Sequence, residues 1–478
     1  MKRLLVLLAL ATGCATTTPP PATTPPPPVA VESSTPTPQP EARTEAAPPA
    51  SLHIPVEYHK LDNGLKVVFS PDHTAPTVVV ALYYGIGFRV EPRERTGFAH
   101  LFEHLMFQGS QNLGKMEFIR LVQSNGGVLN GSTRFDFTNY FEVVPAHTLQ
   151  TVLWAEADRM RGLAITQENL KNQQDVVKNE VRVNVLNQPY GGFPWLDLPQ
   201  YANTNWYNAH NFYGDLTDLD AATLEDARKF FQTYYAPNNA VLTIVGDFDS
   251  ATALGWVRQY FGNIAAQPQP APADISEPRQ TEEKRASKND DKATRPALAF
   301  AYHAPPQDTP EYYAMGIIDQ ILAAGDDSWL YQDLVQTRGL TGEVSSSMNL
   351  LGNMFNIHGP TLYMTWLFHD NDKTANEILS AVDAQIVKLQ TQRVDEETLR
   401  RARVKMRSSL YDAMELFNGF GRADLLASFA LFHDDPAKIN RIESEFAKVT
   451  PELIQRTAQE YLRPTNRTVL TIVPRSAS

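Results

Sequence analysis

Apolar residues recur with two periods along the chain, and these periods predict alternating strands and helices from residue 53 onwards. Strands are expected where β-branched and aromatic residues run between turn residues such as Asp62-Asn63-Gly64. Helices are expected where apolar residues recur at i, i+3, i+4 and i+7. The expected strands cover residues 58–70 in two parts, 77–84, 128–133, 137–144, 241–245, 297–302 and 469–473. The expected helices cover residues 96–109, 115–124, 146–161, 167–187, 223–235, 311–324 and 451–461.

An internal repeat joins the two ends of this pattern. The sequence V-L-T-I-V occurs at 241–245, after the helix at 223–235, and again at 469–473, after the helix at 451–461. Such self-similarity indicates a duplicated structural unit. We therefore predict the α+β class, with two homologous α+β domains in which helices cover a mixed or antiparallel sheet.

Changes in composition divide the chain into five predicted parts. They are a signal peptide at 1–14, a Pro/Thr-rich disordered tether at 15–52, an N-terminal domain at 53–266, a linker at 267–294 and a C-terminal domain at 295–478. The tether is rich in proline and threonine and cannot bury a core, and the linker is a polar connector with prolines and a charged run.

The first residues have the composition of an export signal. A basic start and an apolar run at 4–11 lead to Cys14, the single cysteine of the chain. This arrangement resembles a bacterial lipoprotein cleavage box, although Ala11 replaces the usual leucine. We expect Cys14 to be lipidated and to anchor the protein in the bacterial cell envelope, at the outer membrane and facing the periplasm, because Ala15 rather than Asp follows. An ordinary signal peptide with a chance cysteine is the alternative.

The predicted helix at 96–109 carries two opposed faces, between a possible N-cap at Thr96 and a stop at Gly109. One face is an apolar stripe that can seat the helix on a core, formed by Phe98, Leu101, Phe102 and Leu105. The other face carries His100, Glu103 and His104 in the pattern H-x-x-E-H. Two imidazoles one turn apart can reach one Zn²⁺, and the carboxylate between them can serve a water molecule. The alternative is a polar face with two incidental histidines.

A third metal ligand is sought among the carboxylates further along the chain. Glu180 shares a face of the predicted helix at 167–187 with Gln173. Spacing alone does not distinguish Glu180 from Glu142, Glu156 or Glu168. The segment at 191–220, rich in glycine, proline, asparagine and aromatic residues, resembles a functional loop to which the pattern assigns no role.

The charge of the chain argues against a nucleic-acid partner. Lys and Arg number 42 against 54 Asp and Glu, which gives a net charge of −12, and no basic run suits a phosphate backbone.

These motifs together resemble the pitrilysin family of zinc peptidases, which includes insulin-degrading enzyme and mitochondrial processing peptidase, in its short-chain bacterial form. The resemblance extends from about residue 53 to residue 474 and rests on the H-x-x-E-H helix, the doubled domain and the segments 61–65, 130–133, 176–180 and 235–239. It implies one zinc ion per chain in the N-terminal domain, bound by His100, His104 and Glu180, with Glu103 as general base.

The resemblance also implies a substrate strand and a partner. Asn130, Gly131, Ser132 and Thr133 match the strand that pairs with an extended peptide. The chain departs from the family pattern at three positions. Gln173 replaces a glutamate that family members often have seven residues before the third ligand, on the same helix face. Val335 and Gly342 occupy the positions of an arginine and a tyrosine that assist catalysis.

Two functions follow as hypotheses. The first is an exported zinc endopeptidase that cleaves extended peptides or unfolded polypeptides as the catalytic subunit of a dimer. We expect a heterodimer, in which a homologous subunit supplies the arginine and tyrosine, with a homodimer as the other arrangement. The alternative function is a non-enzymatic structural or adaptor subunit that retains the peptidase fold.

Overall fold

Two β-sheets organise residues 53–475, which the computed structural model describes. The predicted signal peptide, the tether and Cys14 lie outside the described residues. Within residues 53–475, no helix combines the length and the apolar character that crossing a bilayer requires.

The first sheet contains six strands in the order β1-β2-β6-β3-β5-β4. Its strands are β1 (Glu57–Lys60), β2 (Lys66–Pro71), β3 (Thr77–Tyr84), β4 (Val128–Thr133), β5 (Thr138–Pro145) and β6 (Ala240–Gly246). Strands β2 and β6 pair in parallel, and the other neighbours are antiparallel. The hairpin predicted around Asn63 and the strand predicted at 77–84 are confirmed. Strand β4 lies at one edge of this sheet.

The second sheet contains five strands in the order β7-β11-β8-β10-β9. Its strands are β7 (Lys284–Asp290), β8 (Ala297–His303), β9 (Ser345–Ser347), β10 (Leu362–Phe368) and β11 (Arg467–Pro474). The repeat strand β11 pairs antiparallel with β8 and parallel with β7, as β6 pairs with β3 and β2. The predicted α+β class and its mixed sheets are therefore confirmed.

The predicted linker at 267–294 differs from the structure in its last third, where β7 forms. Lys284, Ala286 and Lys288 are partly buried and alternate with exposed residues along this edge strand. The Lys288 ammonium pairs with Asp197 at 2.8 Å, so its charge is compensated where it approaches the sheet. A charged edge strand lacks the apolar alternation on which the sequence prediction depends.

Fifteen α-helices cover the sheets of the described region. They are α1 (Phe98–Leu105), α2 (Glu117–Ser124), α3 (Leu149–Arg161), α4 (Gln167–Val181), α5 (Asp197–Ala202), α6 (Trp206–Ala209), α7 (Leu216–Ala221), α8 (Leu224–Tyr234), α9 (Ser250–Phe261), α10 (Pro310–Leu322), α11 (Ala375–Thr391), α12 (Glu396–Met414), α13 (Leu416–His433), α14 (Ile442–Ala447) and α15 (Pro451–Tyr461). A π-helical turn at Arg182–Leu186 extends α4, so the helix predicted at 167–187 changes its winding just beyond Glu180.

Each sheet is covered partly by the other half of the chain. On β3, Val78, Val80, Leu82 and Tyr84 face the helices of the first half, whereas Val79, Ala81 and Tyr83 belong to the core that contains α13. Helix α5 of the first half packs in turn on the second sheet, where three alanines of β8 allow a close approach. The two halves therefore share their cores.

Candidate metal centre

Helix α1 is seated by its apolar stripe and held at its start by a buried carboxylate. Phe98, Leu101, Phe102 and Leu105 are each at most 2% exposed. The Glu91 carboxylate accepts hydrogen bonds from the amides of Gly97 (2.8 Å) and Ala99 (2.5 Å). Thr96, predicted as the N-cap, instead donates its hydroxyl to Asp218, and Gly97 in the left-handed conformation precedes the helix. Glu91 thus satisfies the first amides of α1.

His100, His104 and Glu180 meet at one point between α1 and α4. The His100 Nε2 and His104 Nε2 atoms are 3.3 Å apart. The Glu180 Oε2 atom lies 3.6 Å from the first and 3.3 Å from the second. Two donors that bind one Zn²⁺ tetrahedrally at about 2.0–2.1 Å lie about 3.3–3.4 Å apart. The spacing and the chemistry of the three donors therefore fit a zinc ion.

The charges of these three groups are set by burial and by one another. Burial lowers the pKa of His100, which favours the neutral, metal-binding imidazole. At His104 burial also opposes the charged form, but the hydrogen bond with Glu180 and the nearby Glu103 charge raise its pKa overall. Burial opposes ionisation of Glu180, yet the two histidines lower its pKa. The cluster is thus electrostatically coupled.

Glu103 lies on the same face of α1 and contacts strand β4. Its Oε2 accepts the Thr133 hydroxyl hydrogen bond at 2.8 Å, and Gly131 lies against its methylene groups. A Cβ atom at residue 131 would lie 3.3 Å from the Glu103 Cγ. Asn130 and Ser132 alternate to the other face of the sheet, where the Ser132 hydroxyl donates to Asn139. Of the four residues predicted to bind substrate, Gly131 and Thr133 therefore contact Glu103, because both lie on the same face of strand β4.

Gln173 lies on α4, about two helical turns before Glu180. It is 5% exposed and lies within hydrogen-bonding reach of His104. Its amide Nε2 donates to the Asn172 Oδ1 at 2.9 Å. Gln173 therefore touches a candidate ligand, although it replaces a carboxylate with a neutral amide.

The other three glutamates that could have been the third ligand lie away from the two histidines. Glu142 and Glu156 are fully buried around the Arg159 guanidinium, which itself stacks 3.9 Å from the Phe118 ring centroid. Burial beside Glu156 raises the pKa of Glu142 well above its usual range. Glu168 is exposed in the first turn of α4. Position in the fold, rather than spacing, brings Glu180 alone of these four to the histidines.

The segment at 191–220 contributes aromatic residues that the sequence pattern did not assign. The Phe212 and Tyr213 rings lie 4.9 Å and 5.2 Å from the His100 ring, and Trp195 packs on both aromatic residues. The Tyr213 hydroxyl donates to the Glu180 Oε1 at 3.3 Å. The only sequence signal of this role is the local concentration of aromatic residues.

The equivalent region of the second half is filled rather than open. At Gly316 of α10, a Cβ atom would already lie within 3.2 Å of Met354, Met406 and Phe446. Asp319 is half-buried and accepts a hydrogen bond from the Ser346 hydroxyl at 2.5 Å. The duplicated helix therefore packs a core where α1 presents its histidines.

The positions matched to the missing arginine and tyrosine are accessible. Val335 is half-buried in the π-helix Tyr331–Thr337. Gly342 is exposed, and a Cβ atom there would have no neighbour within 4 Å. Neither residue offers a side-chain hydrogen-bond donor.

The duplicated α+β fold, with H-x-x-E-H on one helix and a carboxylate from a second, defines the inverted-motif class of zinc-peptidase folds. Residues 66–190 match the family model described as Insulinase (Peptidase family M16), and residues 221–406 match the model described as Peptidase M16 inactive domain. The chain belongs to peptidase family M16.

Its relatives include proteins named as zinc proteases. The zinc protease PqqE of Helicobacter pylori is 26% identical over 423 residues, which cover 87% of this chain and 92% of that protein. The probable beta subunit of the mitochondrial-processing peptidase of Arabidopsis thaliana is 21% identical over 356 residues, covering 73% of this chain and 66% of that protein.

Solved structures share the fold. A crystal structure of a protease from Helicobacter pylori superposes with a TM-score of 0.81 at 25% identity, covering 88% of this chain and 100% of that chain. A peptidase M16 inactive domain from Pseudomonas fluorescens gives 0.77 at 17% identity, covering 89% and 99%. The periplasmic protease PqqL from Escherichia coli gives 0.70 at 18% identity, covering 89% of this chain but 48% of that chain.

Proposed function

We propose that this protein is a zinc endopeptidase that cleaves extended peptides or unfolded polypeptides. The observation that carries the proposal is the triangle of His100, His104 and Glu180, with edges of 3.3–3.6 Å, beside the Glu103 carboxylate. When bound there, Zn²⁺ supplies a Lewis acid and lowers the pKa of water toward 7. A scaffold protein has no need of all four residues in one place.

Glu103 is the proton carrier in this proposal. Its carboxylate lies on the same face of α1 as both histidines, and Thr133 fixes one of its oxygens. Glu103 accepts the proton of the attacking water and then delivers it to the leaving amine. General base catalysis of this kind contributes about 10²–10⁴-fold in rate.

Strand β4 provides the binding edge in this proposal. It ends the sheet order, so its outer backbone groups can pair with an extended chain. Gly131 keeps the strand close to Glu103, because any Cβ would crowd the Glu103 side chain. Main-chain hydrogen bonds form whatever the side chains of the bound peptide. We therefore propose that the substrate is a polypeptide and that its binding depends little on its amino-acid sequence.

The test replaces Glu103 with Gln. The variant should retain about one zinc per chain, measured by metal analysis, because the three donors are untouched. Cleavage of a quenched-fluorescence peptide should fall by about 10²–10⁴-fold. Glu168→Gln, an exposed glutamate of α4, is the matched control and should cleave at the wild-type rate. Unchanged cleavage by Glu103→Gln would show that another group is the base.

A non-enzymatic subunit remains the second candidate, because the C-terminal half matches a model described as inactive and one solved relative bears the same description. The two candidates differ in one measurement. Zinc-loaded protein that cleaves no peptide, alone or with any homologous subunit, would favour the structural role.

We further propose that a second chain of the same fold completes the site with an arginine and a tyrosine. Val335 and Gly342 supply neither group. The span of this chain over only 48% of the Escherichia coli PqqL chain supports the idea that such folds also work in pairs. Peptidase activity of this protein with and without a homologous candidate subunit tests the pairing.

The location of the protein is also a proposal. We propose that Cys14 is lipidated and that the anchored protein faces the periplasm of a bacterial cell, since the basic and apolar residues before Cys14 resemble a lipoprotein signal. Cys14→Ser should shift the protein from the membrane fraction to the soluble fraction or stall its processing. Soluble wild-type protein with an unmodified N-terminus would contradict the proposal.

A further inference from the structure

The two oxygens of the Glu180 carboxylate have different surroundings. Oε2 faces the histidine nitrogens at 3.3 Å and 3.6 Å. Oε1 accepts the hydrogen bond from the Tyr213 hydroxyl at 3.3 Å. A carboxylate can bind a metal through one oxygen or through both, so the group that occupies Oε1 decides which oxygen remains available.

Tyr213 is held firmly in place by the start of α1. Gly214 has a left-handed φ of +67°, and a Cβ atom at that residue would lie 2.3 Å from the Gly97 amide nitrogen. The Asp215 amide donates to the Thr96 hydroxyl oxygen at 2.8 Å. Only glycine fits this close approach. The turn that carries Tyr213 is therefore locked to the helix that carries both histidines.

The Tyr213 ring also contacts the first histidine. It lies edge-to-face with the His100 ring at 5.2 Å and is 6% exposed. Asn184, in the π-helical turn after α4, lies within hydrogen-bonding reach of the same hydroxyl. One side chain from an irregular segment thus touches two of the three candidate ligands and joins α1 to α4.

We propose that Tyr213 is a positioning residue of the metal centre, whose hydroxyl retains Oε1 of Glu180 and leaves Oε2 alone to bind zinc. This inference rests on the proposed function, because it takes Glu180 as a ligand. It adds that the geometry of Glu180 is set by a tyrosine outside the H-x-x-E-H helix and outside α4.

Two consequences distinguish this role from simple packing. Removing a hydrogen bond to a metal-binding side chain typically weakens metal affinity by about 10–100-fold. Releasing Oε1 also allows Glu180 to bind through both oxygens, which raises the coordination number of the ion. A change of coordination number alters the visible absorption of a Co²⁺-substituted centre, whereas a packing change far from the ion does not.

The experiment compares wild-type protein with Tyr213→Phe, which removes only the hydroxyl. Zinc affinity is measured on metal-free protein by competition with a chromophoric chelator, and the Co²⁺ absorption spectrum is recorded for each protein. Tyr213→Phe should bind zinc about 10–100-fold more weakly and give weaker Co²⁺ d–d bands. The matched control is Tyr207→Phe, which removes a hydroxyl from the same segment beside Trp206 and should behave as wild type.

The outcomes separate this inference from the proposed function. Wild-type affinity and an unchanged Co²⁺ spectrum in Tyr213→Phe would overturn the positioning role alone. An equal loss of zinc affinity in Tyr207→Phe would overturn the positioning role too, because the effect would then be one of packing. The same conclusion would follow if metal-free Tyr213→Phe lost affinity together with a lower unfolding midpoint and showed no change in the Co²⁺ spectrum. Wild-type protein that binds no zinc would overturn both proposals.

Discussion

Glu91 is a buried carboxylate whose position ties helix α1 to the rest of the first half. Its side chain is inaccessible to solvent and accepts the first amides of α1. Burial raises the pKa of Glu91 to about 8, against the opposing effect of those two hydrogen bonds. His210 Nε2 lies 3.9 Å from the Glu91 carboxylate. Burial lowers the pKa of His210, so this histidine offers Glu91 little compensating positive charge.

This shift predicts a pH-dependent stability. The folded pKa of Glu91 lies above its ordinary value of 4.5, so its favourable contribution is complete below pH 4.5 and is lost as the pH rises toward 8. Glu91→Gln resembles the protonated form, and it should gain stability relative to wild type over this interval, by at most about 1.4 kcal/mol for each unit of pKa shift.

The measurement is urea unfolding of both metal-free proteins at pH 5, 6.5 and 8. Other titrating groups, including the histidines of the centre, are shared by the two proteins and cancel in the difference. A difference in unfolding free energy that does not change with pH would mean that Glu91 is already ionised in the folded protein.

At the scale of elements, helix α13 completes a sheet to which it does not belong in sequence. It packs on β3 and β6, and its buried residues include Ala423, Leu426 and Phe429. The Tyr83 hydroxyl of β3 donates to the buried Asp424 carboxylate of α13 at 2.7 Å. The rear face of the first sheet is therefore closed by the C-terminal half.

A truncated chain should reveal this dependence. Residues 53–294 contain the whole first sheet and all three candidate ligands, but they leave the rear face of β3 uncovered. We expect this fragment to be insoluble or to bind a hydrophobic dye, because a large exposed apolar face promotes association. Residues 53–475 are the control, and co-expression of residues 295–475 should restore solubility. A soluble, cooperatively folded fragment would contradict the prediction.

Helices and strands with a regular apolar spacing could be predicted from the sequence, whereas contacts that depend on the tertiary fold could not. The strand at 77–84 and the two faces of α1 follow directly from their apolar spacing. Strand β7 was missed because two of its inward positions, Lys284 and Lys288, are lysines. Tyr213 was missed because two glycines, Gly97 and Gly214, determine its position. Glu180 could be selected only by resemblance, since the distance between α4 and α1 is a property of the fold.

At the scale of the whole molecule, one half presents the candidate centre and the other supplies packing. The helix equivalent to α1 in the second half is buried by Met354, Met406 and Phe446, so nothing in the described region repeats the histidine cluster. Val335 and Gly342 lie in that second half. The assembly we propose therefore takes its remaining polar groups from another chain.

Installing those groups tests the assembly directly. The double variant Val335→Arg, Gly342→Tyr should allow pairs of this chain to cleave peptide without a partner, because Gly342 has open space and Val335 is half-buried. We expect a gain of up to about 10²–10³-fold, the value of one oxyanion donor. Each single variant is a control and should gain less. High peptidase activity of the wild-type chain alone would show that it needs neither the arginine nor the tyrosine.

The shared cores have a consequence for the time at which activity can begin. After a ribosome has added Glu180 to the nascent chain, it still has to add residues 181–415 before α13 begins. At roughly 5–20 residues per second this interval exceeds about ten seconds. During that time the nascent chain carries every candidate ligand but cannot close the sheet behind them. The order of synthesis itself therefore delays the completed fold around the candidate centre until the polypeptide is almost finished.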